Sequence, residues 1–115
     1  MKLKEANYAS FSRVIDPILT DGEQVVGCFQ SIRDYVVFTS KRIITVNVQG
    51  LTGKKQDFTS LPYNKIQAFS VETAGVVDLD SELDLWFAGL GKVRLEFTRA
   101  TNVHQICKMI GDRTL

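Results

Sequence analysis

Residues 34–75 repeat one pattern: short runs of alternating apolar and polar residues, each closed by turn chemistry. The turns are Ser40-Lys41, the glycine loop Gly50-Leu51-Thr52-Gly53 and the break at Pro62-Tyr63-Asn64. Alternation of period two bounded by such residues predicts strands. Read along the whole chain, it predicts seven, at 23–30, 34–39, 42–49, 54–61, 65–72, 81–88 and 92–98. A two-residue loop at Ser40-Lys41 sets Val37 opposite Ile44 and Tyr35 opposite Val46 on one side. Val36 then faces Thr45 and Phe38 faces Ile43 on the other. The first set, continued by Val48, is the better core face. In 65–72, Ile66 falls out of step with Phe69 and Val71, which predicts a bulge or a barrel corner.

The last hairpin has the clearest pattern. A Gly89-Leu90-Gly91 loop places Phe87 opposite Val93, Leu85 opposite Leu95 and Leu83 opposite Phe97, all apolar and therefore inward. Asp84, Trp86, Lys92, Arg94 and Glu96 point the other way. Slipping this register by one residue would expose six apolar side chains, so the register is over-determined.

Helical periodicity flanks the strands. Tyr8, Phe11, Val14, Ile15, Ile18 and Leu19 recur at three- and four-residue steps within a helical segment spanning 1–20. Asp16-Pro17 interrupts the stripe, because a residue before proline avoids the helical region. The prediction is a helix to about Ile15 and a separate turn over 17–19. After Thr98 the period changes from two to 3.6. Val103, Ile106, Cys107 and Ile110 form one apolar stripe of a helix over 101–112, with Thr101 or Asn102 as its cap and Gly111 at its end. Such a helix is suited to cover an open end of a small barrel or sandwich.

Length and composition narrow the classes. At 115 residues the chain reads as one domain spanning 1–115, with strands over 23–98 between the helical segments. It is 44% hydrophobic and 23% charged, and its net charge of +1 argues against a dedicated nucleic-acid binder. No apolar run approaches the ~18 residues of a membrane span. The mixed, charged start MKLKEANYASFSR does not read as a secretory signal. Cys28 and Cys107 form no C-x-x-C or His/Cys cluster and read as buried thiols in a reduced, cytoplasmic compartment.

Seven antiparallel strands and a C-terminal helix are the layout of a pleckstrin-homology-like barrel. The chain resembles the bacterial pleckstrin-homology-like family through Asp21-Gly22-Glu23 and Phe38-Thr39-Ser40-Lys41-Arg42-Ile43-Ile44. Gln49-Gly50-Leu51-Thr52-Gly53-Lys54-Lys55, Leu61-Pro62-Tyr63-Asn64-Lys65-Ile66 and Val71-Glu72-Thr73-Ala74-Gly75 carry it further. The resemblance covers nearly the whole chain. It implies a barrel with a C-terminal capping helix, here with an extra N-terminal helix. It suggests self-assembly into a closed ring such as a pentamer, and it implies no catalytic activity and no cofactor.

Candidate chemistry is sparse. The Gly50–Gly53 loop has two residues between its glycines and Lys-Lys after them, so it fails the P-loop pattern. It fits a hairpin turn with lysines in solvent, or an anion-contacting loop. Eukaryotic pleckstrin-homology domains usually grip phosphoinositides with basic residues around a long first loop. Here that loop is only 31–33, with Arg33 its one basic residue, which speaks against inositol-phosphate recognition. Contact of Lys41, Arg42, Lys54 and Lys55 with an anionic membrane remains, at about 1 kcal/mol per charge.

Glu72, Asp78, Asp80, Glu82 and Asp84 form an acidic run. Asp78, Asp80 and Glu82 match the start of a calcium loop, but Leu83 and Gly89 stand where that loop needs glycine and glutamate. The run reads as a solvated face, a charge-complementary interface or, least well, a metal site. Trp86 points outward, and its cover is either local or another subunit. Local cover means Arg94 stacking on the ring, or the N-terminal helix. An oligomer contact would join Trp86, Arg94, Asp84 and Lys92, since tryptophan and arginine are enriched at interfaces. His104 lies on the polar flank of the last helix with no second histidine, so no zinc ligand set forms. No nucleophile–base set is visible either. The expectation is a non-enzymatic protein-binding scaffold that assembles with itself, with weak binding to an anionic surface as the alternative.

Overall fold

In the computed structural model, residues 2–73, 75, 80–98 and 100–115 are described. Among them alternation condenses into eight strands: β1 (Lys2–Glu5), β2 (Val25–Gln30), β3 (Tyr35–Thr39), β4 (Arg42–Gln49), β5 (Lys55–Pro62), β6 (Ile66–Glu72), β7 (Ser81–Phe87) and β8 (Gly91–Phe97). Two α-helices accompany them, α1 (Ser12–Ile15) and α2 (Val103–Thr114). The chain is thus mainly β with a C-terminal helix, and has one strand more than the sequence pattern predicts. Its contacts divide it into two compact units, one of residues 5–61 and one of residues 1–4 and 62–115.

In the first unit the strand order is β5-β4-β3-β2. The β3–β4 register is the expected one, with Tyr35 opposite Val46, Val37 opposite Ile44 and Phe38 opposite Ile43. Tight hairpin turns usually need positive φ, yet among the described residues only glycines have it. The Thr39 hydroxyl instead organises the turn, accepting from the backbone N–H groups of Lys41 at 3.1 Å and Arg42 at 3.0 Å. Phe11 stacks on Tyr35 with centroids 4.1 Å apart. Ile15, Cys28, Val37, Ile44 and Val46 complete that core, with Val48 partly buried against it. The opposite face of the hairpin is buried as well: Val36, Phe38 and Ile43 have no exposed surface, and Phe38 meets Phe29 edge-on. The face expected to be the better core face is buried, and the other face is core as well. An unbroken Tyr35-Val36-Val37-Phe38 run is what a strand buried on both sides requires.

The N-terminal segment departs further from expectation. Residues 2–5 are strand and not helix, and Leu3 is fully buried. The helical portion breaks into a 3-10 turn at Tyr8–Ser10, the single turn of α1 and a second 3-10 turn at Asp16–Ile18. Pro17 sits at the start of that last turn, where its missing N–H costs nothing.

In the second unit the order is β1-β8-β7-β6, with β1 parallel to β8 and the other pairs antiparallel. Neither unit's strand order returns on itself, so neither is by itself a closed barrel. The β7–β8 register is offset by two residues from the predicted one: Phe87 faces Gly91, Leu85 faces Val93 and Leu83 faces Leu95. The connection is Ala88-Gly89-Leu90, and Gly91 already belongs to β8. A shift of two preserves side-chain parity, so Leu83, Leu85, Phe87, Leu95 and Phe97 are buried as expected. The bulge anticipated near Ile66 is present, between Ile66 and Ala68. Asn102 caps α2, accepting from the Gln105 N–H at 3.2 Å. Val103, Ile106 and Ile110 are buried, while Cys107 is only half-buried. The helix continues through Gly111 to Thr114, because Gly111 keeps helical backbone and lacks the positive φ of a terminating glycine.

Candidate functional site

The outward face of β6, β7 and β8 gathers the residues singled out around Trp86. Trp86 lies between Ala68 on β6 and Lys92 on β8, and Asp84 lies opposite Arg94. The two-residue register offset decides how these side chains pair. Arg94 was expected beside Trp86, where it could stack on the ring. Opposite Asp84 it forms a bidentate pair instead, Nε to Oδ1 at 2.8 Å and Nη2 to Oδ2 at 3.0 Å. Its Nη1 also approaches Glu82 at 3.4 Å. The guanidinium hydrogen bonds hold the Asp84 carboxyl below its ordinary range. Trp86 keeps 36% of its surface exposed, a large value for so big an apolar ring.

Acids crowd the same face. Glu72, Glu82 and Glu96 occupy one rung across β6, β7 and β8. Lys2 continues the rung, since it faces Glu96 and also pairs with Asp80. Like charges opposite one another repel, so Arg94 and Lys2 offset part of a real cost. The Lys2 contribution could not be foreseen from a segment read as helix. Asp78 of the acidic run lies outside the described residues.

The predicted basic cluster does not assemble as one patch. Lys41 stands just before β4, whereas Lys54 and Lys55 follow the loop after it. The eight residues of β4, at about 3.3 Å each, separate the two groups by roughly 25 Å. Lys41 Nζ donates to Thr20 Oγ1 and the Asp21 carbonyl, both at 3.0 Å. Arg42 is consumed inside its unit. Its Nε and Nη2 donate to Glu23 at 2.9 and 3.0 Å, Nη1 to Ser60 Oγ and Nη2 also to the Ile18 carbonyl.

Glu23 is the buried anchor of that network, and the sequence marks it only as the first residue of a strand after Asp21-Gly22. Its carboxylate also accepts from the Thr39 hydroxyl at 2.6 Å and from the Thr20 N–H at 2.9 Å. Burial alone would raise its pKa. The bonds from Arg42, Thr39 and Thr20 outweigh burial and hold it at about 2.

A different basic group forms at the loop end of the first unit. Arg33 Nη2 donates to the Gly50 carbonyl at 2.5 Å, tying the β2–β3 turn to the glycine loop. Gly50 and Gly53 take positive φ, so the loop is a turn of the kind its glycines predict. Its Leu51 and the neighbouring turn's Ile32 are almost wholly exposed. Lys54 and Lys55 are exposed next in sequence to that loop. Two bare aliphatic side chains with Arg33, Lys54 and Lys55 thus share one end of this unit.

Comparisons with known proteins agree with this architecture. A family model described as a bacterial PH domain matches residues 1–114. The chain is 48% identical over 95 residues to the uncharacterised Bacillus subtilis protein YjqA, covering 81% of this chain and 76% of that protein. It is 28% identical over 95 residues to the uncharacterised YozO of the same organism, covering 83% and 82%. Among solved structures it is similar to a DUF1696 family protein with a pleckstrin-homology domain from Shewanella loihica. The TM-score there is 0.86 and the identity 40%, with 99% and 98% of the two chains covered. A pleckstrin homology domain from Shewanella amazonensis gives a TM-score of 0.73 at 41% identity, covering 97% and 91%.

Proposed function

The chain belongs to the family of bacterial PH domains, and from that premise we propose that it is a non-enzymatic interaction module. It assembles with copies of itself, in a closed ring such as a pentamer, and serves as a scaffold for a protein partner. The observation that carries this reading is the outward Trp86, more than a third exposed on a face whose arginine is already committed to Asp84. Covering that ring gains apolar burial, and tryptophan is among the residues most enriched where protein contacts are strong. The free thiols of Cys28 and Cys107 suit a reducing, cytoplasmic setting. Light scattering with mass determination tests the proposal. The expected result is a mass several times that of one chain, lowered by Trp86→Ala. A strict monomer at tens of micromolar overturns it.

A second reading is favoured by Ile32 and Leu51. Bare aliphatic side chains beside Arg33, Lys54 and Lys55 suit peripheral contact with an anionic membrane surface, in which the aliphatics enter the interface and the cations meet headgroups. This grouping keeps Lys54 and Lys55 from the sequence-predicted set and leaves out Lys41 and Arg42. Sedimentation with phosphatidylserine vesicles at low salt should pull the protein down. Leu51→Ser and added salt should each release it, and no binding at low salt removes this reading. A self-assembled ring would multiply weak contacts of this kind.

A further inference from the structure

We propose that the outer edge of β6, with the groove beside it, receives strand β5 of a second copy of this chain as an added antiparallel strand. The inference rests on the self-assembly reading and adds a strand-edge contact beside the Trp86 face that reading invokes. β6 is the last strand in its unit's order and is bonded to β7 on one side. Its other edge carries main-chain donors and acceptors that can template a further strand. Beside it opens a groove of about 260 Å³, lined by Ile66, Phe69 and the helix-end residues Thr114 and Leu115 among others.

β5 has the complementary properties. It ends the strand order of its own unit, and Leu61 is its one buried residue. Phe58 is 39% exposed in the middle of it. Set antiparallel to β6 with Phe58 opposite Phe69, β5 brings Lys55 opposite Glu72, Asp57 opposite Ser70 and Thr59 opposite Ala68. The stretch of β6 used, 68–72, lies beyond its bulge. Aromatic pairs and opposite charges are favourable combinations in such ladders. Phe58 comes to lie at the groove that Phe69 lines. Lys55 also resolves an imbalance. The rung Glu72–Glu82–Glu96 has Lys2 at its β1 end, and among the described residues Glu72 itself has no ion-pair partner. A cation from the neighbouring copy extends the rung at the needed end. The two edges are different surfaces, so one copy offers β6 to one neighbour and β5 to another, in head-to-tail fashion.

The test uses two full-length chains in a Cys28→Ser, Cys107→Ser background, one carrying Thr59→Cys and the other Ala68→Cys. Directly opposed positions have Cβ spacings a disulfide can bridge. Mild oxidation of the mixture should give a covalent heterodimer at several-fold the yield of an Ala9→Cys, Ala68→Cys control. With native cysteines retained, Lys55→Glu and Glu72→Lys should each lower the solution mass, and the double variant should restore it. An oligomeric mass with cross-linking at the control level and no charge-swap rescue overturns this contact while self-assembly stands. A monomeric wild-type chain overturns both.

Discussion

Glu23 shows how one carboxylate can organise a unit through its hydrogen bonds. Its side chain is wholly buried and ion-paired to an arginine that is itself mostly buried. Removing one partner of such a pair strands the other charge, at a cost of roughly 3–5 kcal/mol. Arg42→Ala and Glu23→Gln should therefore both lower the urea midpoint sharply. The folded pKa of Glu23 is about 2 against an ordinary 4.5, so the unfolded chain binds the proton more tightly. The contribution is complete above pH 4.5 and is lost as pH falls toward 2, roughly 3 kcal/mol in all. Urea titrations between pH 2 and 6 should show wild type losing stability more steeply than Glu23→Gln. Equal slopes would remove Glu23 as the cause. Cys28 belongs to the same buried class, its thiol pushed up to about 11 by burial, so it is a poor nucleophile. The Glu23 role is not visible in sequence, because pairing partners sixteen to nineteen positions away come only with the fold, whereas a buried Cys28 thiol is what the sequence predicts.

At the scale of elements, the β7–β8 hairpin separates what alternation specifies from what loop chemistry specifies. Alternation specified which side chains turn inward, and these are buried except Val93, which is half-buried. It could not choose between registers differing by two residues, since both keep the same faces. The choice fell to the loop, where Gly89 and Gly91 take φ of 81° and 92°. An added Cβ at Gly89 would meet nothing within 4 Å, so Gly89→Ala should cost only the backbone penalty of about 1 kcal/mol. A loss far larger, read from urea unfolding, would mean that the loop makes contacts its geometry does not indicate. The register sets the chemistry of this face, for it gives Arg94 to Asp84 and leaves Trp86 beside Lys92. The β1 strand was missed for a different reason. Four residues with one buried apolar position carry too little periodicity to compete with the helical stripe that follows, and its parallel pairing with β8 is a non-local contact.

For the whole molecule, the proposed head-to-tail contact makes a statement about mass. A heterologous contact that closes gives one oligomer of fixed size, and one that does not close gives chains that lengthen with concentration. The ring proposal expects a single plateau mass across a concentration series, and a mass that keeps growing would rule out closure. The sequence by itself determined the β-rich class, the strand positions from 23 to 98 within a few residues, the C-terminal helix with its cap at Thr101 or Asn102, and the inward face of the last hairpin. These follow from periodicities carried by neighbouring residues. Only the tertiary structure decided the pairing order, the eighth strand, the burial of both faces of β3, the commitment of Arg42 to Glu23 and the regrouping of surface charge. Each of those depends on which distant segments meet, and a local pattern of apolar and polar positions holds no information on that choice.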